Sequence, residues 1–513
     1  MIHVTDRPLI LAIDIGTSGT KVLAVDALGQ VRHSAHASYS FESPQPSWAE
    51  QSPQLWYDGT LNAVQSLLSN PEIQADDVVA IALAGQMHGL VALDAHLEVI
   101  RPALLWNDQR SAPQCEQYAN QLGNEFLLEH TGNLMLPGFT VPKLLWMRTH
   151  EPEAYAAIRH VLLPKDYVRF KLGGNLISDV TDASGTGVFD CGRRRWSKAM
   201  LEALDLPPEW WPPTAESLEV VDQLSPSAAK EIGLRAGIPL IAGAGDQAAS
   251  AVGTGIIKEG LVSTTIGTSG VVFACSDHWR TTQDGALHAF CHAVPDTWHL
   301  MGVMLSAGGS YDWFCRSLMP DIMDQAQANG IDPFEEITER AGGVQPGADG
   351  LFFLPYLTGE RTPHADPRAR GCFIGLTPAH DRNHLARAVI EGALFGLQDC
   401  LQLIRRLGIQ PDSIRLSGGA AASELWQSLS ADVMGAPIVS TTTSEGTGYG
   451  AAILGGTAVG LWPDVPQACE QLVRERRRTM PSEDQVVYAR LHERYAQLYP
   501  ILKEWWHETK PLP

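Results

Sequence analysis

The pentapeptide Ile15-Gly16-Thr17-Ser18-Gly19 returns unchanged as Ile266-Gly267-Thr268-Ser269-Gly270, and this repeat restricts the fold more than any other feature of the chain. The first copy follows the apolar run Leu9 to Ile13 with one acid, Asp14, and precedes the β-prone run Lys21 to Val25. The second follows Leu261 to Thr265 and precedes Val271 to Ala274. Each reads as a strand, a tight glycine turn carrying two hydroxyls, and a second strand. Glycine lets backbone approach a ligand closely, and successive N–H groups can ring an anion. One such turn is equally an ordinary hairpin. Two in the same context predict a duplicated domain, with one phosphate chain gripped from two sides. Asp14 is unique to the first copy; at a strand end beside phosphates it is expected to hold Mg²⁺ directly or through water, because hard cations take oxygen donors.

The length of 513 residues exceeds what one core usually supports, so two domains of comparable size are expected, at 1–250 and 251–480. Residues 481–513 are read as a terminal amphipathic helix, Ser482 to Trp506, with a Ser482…Gln485 capping box, docked through Tyr488, Leu491, Tyr495, Leu498 and Leu502. A hydrophobic content of 44% with 19% charged residues is an ordinary globular mix. The net charge of −21 argues against nucleic acid and against an anionic membrane surface as partners. An anionic nucleotide must then be met by local devices such as Mg²⁺, backbone amides and helix N-termini. Eight cysteines without a C-x-x-C pair or a zinc-spaced His/Cys cluster read as reduced thiols of a cytoplasmic protein. No basic region precedes a long apolar segment, so neither a secretory signal nor a membrane span is expected.

Polar residues cluster just past several apolar runs, which is where α/β folds place ligand contacts. A helix is predicted over Pro53 to Leu68 and a buried strand over Val78 to Ala84, opening into Gly85-Gln86-Met87-His88-Gly89. His88 is either a loop histidine satisfied locally or a ligand contact. Trp106-Asn107-Asp108 ends another apolar run. Asn107 and Asp108 suit a helix cap, but an aromatic beside fixed donors and acceptors also suits a polyol. Pro239 to Ile241 leads through glycines to Asp246-Gln247 and a small-residue helix. Asp246 fits an N-cap. It equally fits a general base in phosphoryl transfer, being at a strand end, flanked by glycines, and kept ionised by a helix N-terminus.

Farther on, a helix is predicted from Asn383 to Leu407, stopped by Gly408, and a strand from Ser413 to Leu416 opens into Ser417-Gly418-Gly419, where a flat ring can lie against backbone. The chain carries no G-x-x-x-x-G-K-[ST] loop and no H-R-D or D-F-G set, so neither a P-loop nor a protein-kinase site is expected.

Gly371-x-Phe373-x-Gly375-Leu376, seven residues, then His384-Leu385-x-x-Ala388-Val389-Ile390-Glu391 resembles a signature of the FGGY family of carbohydrate kinases, and Leu354 to Pro363 is similarly typical. The resemblance implies an α/β fold of two ribonuclease-H-like domains, as in actin, hexokinase and Hsp70, with an interdomain active-site cleft. It implies ATP and Mg²⁺, with Asp246 as base, Asp14 organising the cation, and Gly16, Thr17, Ser18, Gly267, Thr268 and Ser269 around the phosphates. Gly418 and Gly419 would face the adenosine. Gln86 to Gly89, Trp106 to Asp108, Pro137 to Thr140 and Leu162 to Tyr167 are similar to members acting on D-xylulose rather than on glycerol, ribulose or gluconate. Met87 and His88 would then contact the ketose, with Gln247 beside it where such relatives often carry Asn. A cytoplasmic homodimer is also implied. Alternatives from other classes are a nucleotide-switched binding protein of the same fold and a catalytically silent sugar sensor. The polar cluster of His88, Asn107, Asp108 and Asp246 speaks against the first, and the presence of both Asp14 and Asp246 against the second; the nearest alternative is the same reaction on another pentulose or polyol, such as L-ribulose, D-ribulose or glycerol.

Overall fold

The computed structural model describes residues 5–442 and 445–508. Two seven-stranded mixed sheets form its frame. In the first, β1 (Leu9–Ile15), β2 (Gly19–Asp26) and β3 (Val31–Ser38) make an antiparallel meander, followed by α1 (Pro53–Leu68) and the wholly buried β4 (Val78–Gly85). After α2 (Pro164–Gly173) come β5 (Val220–Gln223), β6 (Pro239–Ile241), β7 (Ala244–Gly245) and α3 (Asp246–Gly253). The order is β5-β6-β4-β1-β2-β3, with β7 beside β4; β1, β6 and β7 all run parallel to β4. Strands buried on both faces are continuously apolar, which is why Leu9 to Ile13 and Val78 to Ala84 stand out in the sequence.

The second sheet repeats the plan. β8 (Leu261–Ile266) and β9 (Gly270–Ser276) form the second hairpin, and β10 (His288–Cys291) and β11 (Trp298–Met304) extend it antiparallel. The helices α4 (Gly308–Leu318) and α5 (Arg382–Arg406) follow, then the parallel strands β12 (Ser413–Gly418) and β13 (Ile438–Thr441). The helix α6 (Gly446–Ala458) and the edge strand β14 (Glu475–Thr479) complete the order β10-β11-β9-β8-β12-β13-β14. In both sheets a meander is joined through its first strand to two parallel strands, so the fold is duplicated as expected. Among the described residues no helix is long and apolar enough to cross a membrane.

The two halves are laced together by their last helices. α6 follows the second sheet, yet its Ala451, Ala452, Ile453 and Leu454 lie in one core with Ile10, Ala12, Leu23, Ala80 and Ala82 of the first. Ala251 of α3 joins Phe273, Cys275 and Phe290 of the second sheet. The helices cross backbone on backbone, because Gly253 and Gly450 put no side chain between them: a Cβ at Gly450 would stand 1.8 Å from the Ala249 carbonyl oxygen.

The terminal segment differs from the single capped helix expected. It forms α7 (Gln485–Tyr495) and α8 (Leu498–Glu508), and Ser482 makes no capping box, because its N–H and hydroxyl both donate to the Asp432 carboxylate. Its expected apolar stripe does dock. Tyr488 and Tyr495 are buried with Tyr356 and Phe395, and Leu491, Leu498 and Leu502 pack on the same core. Tyr488 also closes a buried polar triangle, donating to Glu391 at 2.7 Å and accepting from Arg387, whose Nε donates to Glu391 at 2.7 Å.

Candidate active site

Parallel pairing brings three distant residues to one edge of the first sheet. Asp14 of β1 lies level with Ala84 of β4, which lies level with Ala244 of β7. One residue farther along each strand are Ile15, Gly85 and Gly245. The chain then leaves the sheet as the first glycine turn, as Gln86-Met87-His88, and as Asp246 at the first position of α3. This is the carboxyl end of a parallel array, the usual place for ligand contacts in α/β sheets.

The first turn is braced from its surroundings. Gly16 N–H donates to the Gly19 carbonyl at 3.0 Å, and Tyr39 Oη donates to the Gly16 carbonyl at 2.9 Å. Thr17 Oγ1 donates to Gln86 Oε1 at 3.0 Å and accepts from Trp106 Nε1 at 3.0 Å, so an exposed indole reaches across the turn. The half-buried Asn107 keeps its Oδ1 buried without a hydrogen-bond partner among the described residues. Asp108 is engaged elsewhere. It is fully buried, and its carboxylate accepts from Ala49 N–H at 2.7 Å and from the N–H and Nε of Arg110 at 2.9 and 3.0 Å. Asp108 therefore shapes the loop that carries Trp106 and Asn107.

Met87 lies against Gly245, where a Cβ would come within 2.8 Å of its Cγ. His88 has a left-handed backbone, φ +70, and its ring stacks on Phe139 with centroids 5.0 Å apart. Its Nδ1 faces the Gly185 carbonyl at 2.8 Å, and its own carbonyl accepts from Lys143 Nζ at 2.9 Å. Gln247 follows Asp246 on α3 and is half-buried.

The second turn sits opposite in the fold plan. Ile266 pairs with Gly418 across β8 and β12, bringing Gly267, Thr268 and Ser269 beside Gly418 and Gly419. All three turn residues are exposed. Ala307 and Gly309 N–H donate to the Thr268 carbonyl at 2.9 and 3.0 Å, docking the N-terminus of α4 on the turn. This element escaped the sequence reading; its signal was the small run Ala307-Gly308-Gly309 at the start of a helix. A cleft of about 710 Å³ runs from Thr265, Ser417 and Gly418 to Ser250 of α3 and Thr447 of α6.

The N-terminal domain of the FGGY family of carbohydrate kinases matches residues 9–253, and that family's C-terminal domain matches residues 262–459. The chain belongs to the FGGY family. It is an ATP-dependent carbohydrate kinase. It is 40% identical to the xylulose kinase of Escherichia coli (strain K12) over 96% of this chain and 99% of that protein. Its fold matches the ligand-bound xylulose kinase from Lactobacillus acidophilus with a TM-score of 0.92, at 26% identity over 98% of this chain and 99% of that one. The gluconate kinase from Lactobacillus acidophilus matches with a TM-score of 0.90, at 26% identity over 97% and 98% of the two chains. Backbone shape thus marks this kinase as a member without selecting among sugars.

The electrostatics of the kinase site rest on two crowded acids. Burial pushes Asp14 up to about 7, helped by the charge of Asp246 and opposed by Lys21, which is itself paired with Glu445. Burial also pushes Asp246 up to about 6, while the backbone and side-chain hydrogen bonds of Gln247 hold it lower. The Asp14 carboxyl, which resists ionisation through burial and the charge of Asp246, supplies oxygen donors that suit a divalent cation. His88 is the reverse case. Burial pushes it down to about 3, and the charges of Lys143 and Arg361 act in the same direction. A neutral ring facing a carbonyl through Nδ1 must carry its proton there, leaving Nε2 to accept a hydrogen bond.

Proposed function

We propose that this kinase transfers the γ-phosphoryl group of MgATP to the terminal 5-hydroxyl of D-xylulose, yielding D-xylulose 5-phosphate and ADP. The observation that carries the reading is the convergence of Asp14, Met87, His88 and Asp246 at one edge of parallel strands, in a chain that belongs to a family of carbohydrate kinases. The E. coli relative named for xylulose supports the choice of sugar.

Asp246 accepts the proton of the 5-hydroxyl as its oxygen forms the new P–O bond, and the bond from the γ-phosphorus to the bridging oxygen breaks with ADP as leaving group. Mg²⁺, held by the Asp14 carboxylate directly or through water, would neutralise charge on the phosphates. The hydroxyls and amides of Gly16 to Ser18 and Gly267 to Ser269 hold the phosphate chain, and Gly418 and Gly419 leave room for the adenosine. Neutral His88 accepts a sugar hydroxyl through Nε2, Asn107 Oδ1 accepts another, and Met87, Trp106 and Gln247 wall the pocket. Closure of the lobes would exclude water, which competes with the sugar as nucleophile. The same reading assigns residues 1–250 to the sugar-binding domain, 251–480 to the nucleotide domain and 481–513 to a docked terminal segment, in a cytoplasmic homodimer.

ADP release measured with D-xylulose, L-xylulose, D-ribulose, L-ribulose, glycerol and gluconate tests the substrate, and Asp246→Asn tests the base. D-xylulose is expected to give the highest kcat/KM, and the variant to lose about 10²- to 10⁴-fold in kcat. A different preferred polyol would refute the sugar assignment, and a fully active variant would refute the base.

A further inference from the structure

Behind the sugar pocket lies a buried polar network with no part in the chemistry described above. Lys165, Asp166, Arg169, Asp179, Thr181 and Asp182 are all fully buried. Lys165 Nζ donates to Asp166 Oδ1 at 2.5 Å and to the Ala242 carbonyl at 3.2 Å, and lies 3.1 Å from Asp179 and 3.8 Å from Asp182. The three carboxylates are close enough together to hold a metal ion, but the ammonium already lies among them. Lys165 is the cation in contact with these carboxylates, while Arg169 turns its guanidinium to the Asn175 and Ile177 carbonyls. Asp182 has no hydrogen-bond partner on either oxygen among the described residues, and burial pushes its carboxyl well above the usual carboxylate range.

One branch of the network's hydrogen bonds reaches the segment that carries Asp246. Asp179 Oδ2 accepts from Thr181 N–H at 2.8 Å and from Thr181 Oγ1 at 2.5 Å. With its proton committed there, the Thr181 hydroxyl is left to accept the Gly245 N–H, at 2.9 Å. On the other side of the segment Gly243 N–H donates to the Ser217 carbonyl at 3.1 Å, and the Ser217 hydroxyl returns to Asp179. Gly243, at φ +78, lies so close to β4 that a Cβ would stand 2.1 Å from the Leu83 carbonyl oxygen. Residues 242–245 are therefore tied down on both sides by groups outside their own helix.

We propose that Thr181, oriented by Asp179 and Lys165, is a positioning residue that fixes the Gly245 peptide and so aims the Asp246 carboxylate at the attacking hydroxyl. The proposal rests on the reading of Asp246 as general base. It also gives a role to Lys165 and Asp166, which lie within the stretch Leu162 to Tyr167 singled out in the sequence.

Steady-state kinetics of Thr181→Val and Thr181→Ser, alone and with Asp246→Asn, test it. Misplacing a reacting group by about 1 Å costs about 10²-fold, so Thr181→Val is expected to lower kcat about 10- to 100-fold with KM for MgATP unchanged. Thr181→Ser keeps the hydroxyl and is expected to restore the rate. In the Asp246→Asn background Thr181→Val should cause no further loss, because both changes act on one group. An unchanged kcat in the valine variant would overturn the proposal, as would a serine variant as slow as the valine, or a full further loss on top of Asp246→Asn. Wild-type activity of Asp246→Asn alone would instead overturn the base reading beneath it. Thr181→Ala, which removes the same hydroxyl without an added methyl, carries the comparison if the valine protein does not fold.

Discussion

Replacing Gly450 by alanine is expected to damage stability and catalysis together, although the site is in the middle of a helix where alanine is intrinsically favoured by about 1 kcal/mol. The new Cβ would stand 1.8 Å from the Ala249 carbonyl oxygen and 2.8 Å from Gly253 N, whereas real Cβ contacts essentially never fall below 3.0 Å. Both obstacles are backbone, so no rotamer change relieves them, and α3 and α6 must part by about 1.2 Å, the difference between 3.0 and 1.8 Å. Overpacking of this kind costs about 1–3 kcal/mol, more where backbone must shift. A net loss of about 2 kcal/mol corresponds to a fall of about 2–4 °C in melting temperature for a cooperative unit of this size. Because α3 begins at Asp246, a displacement of this size also moves the proposed base by about the distance that costs 10²-fold in rate. Calorimetry and steady-state kinetics on the same preparation read both effects. A variant with wild-type melting temperature and kcat would show that the helices are not in the backbone contact described, and would refute the coupling of the crossing to the site.

Three further outcomes follow from the geometry. With Asp14 pushed up to about 7 and Asp246 to about 6, and both active only as carboxylates, kcat/KM for the sugar should level off above about 7 and fall at least tenfold per pH unit below about 6; a flat profile down to pH 5 would contradict their roles. Trp106→Ala removes an indole that is 44% exposed and bonded to Thr17, so KM for the sugar should rise about tenfold with little change in melting temperature, as isothermal titration and thermal denaturation would show. Arg387→Met leaves the Glu391 carboxylate buried with only Tyr488 and the Gly347 N–H as partners, far from the sugar. It is expected to cost about 3 kcal/mol in denaturant stability while KM for the sugar is unchanged.

Much of this protein was readable from local pattern. Val78 to Ala84 was legible as a buried strand because residues apolar on both faces have no other economical place. The helices at Pro53–Leu68 and Arg382–Arg406 were legible because helical periodicity and end signals lie within one segment. The repeated pentapeptide announced the duplication, and Asp14, His88 and Asp246 announced themselves as polar residues at the ends of apolar runs. What the sequence left open was settled by partners far along the chain. Asp108 reads as a pocket residue until Arg110 and Ala49 are seen to take its carboxylate. His88 could be any loop histidine until Gly185 fixes its tautomer. Ser482 and Gln485 spell a capping box, but Asp432 claims the serine first. The crossing of α3 and α6 and the reach of Thr181 to Gly245 have no local signature, since each closes on a backbone group brought up from far along the chain. Periodicity and turn chemistry act within a few residues and so are written in the sequence; which donor meets which acceptor across two sheets is decided only when the chain has folded.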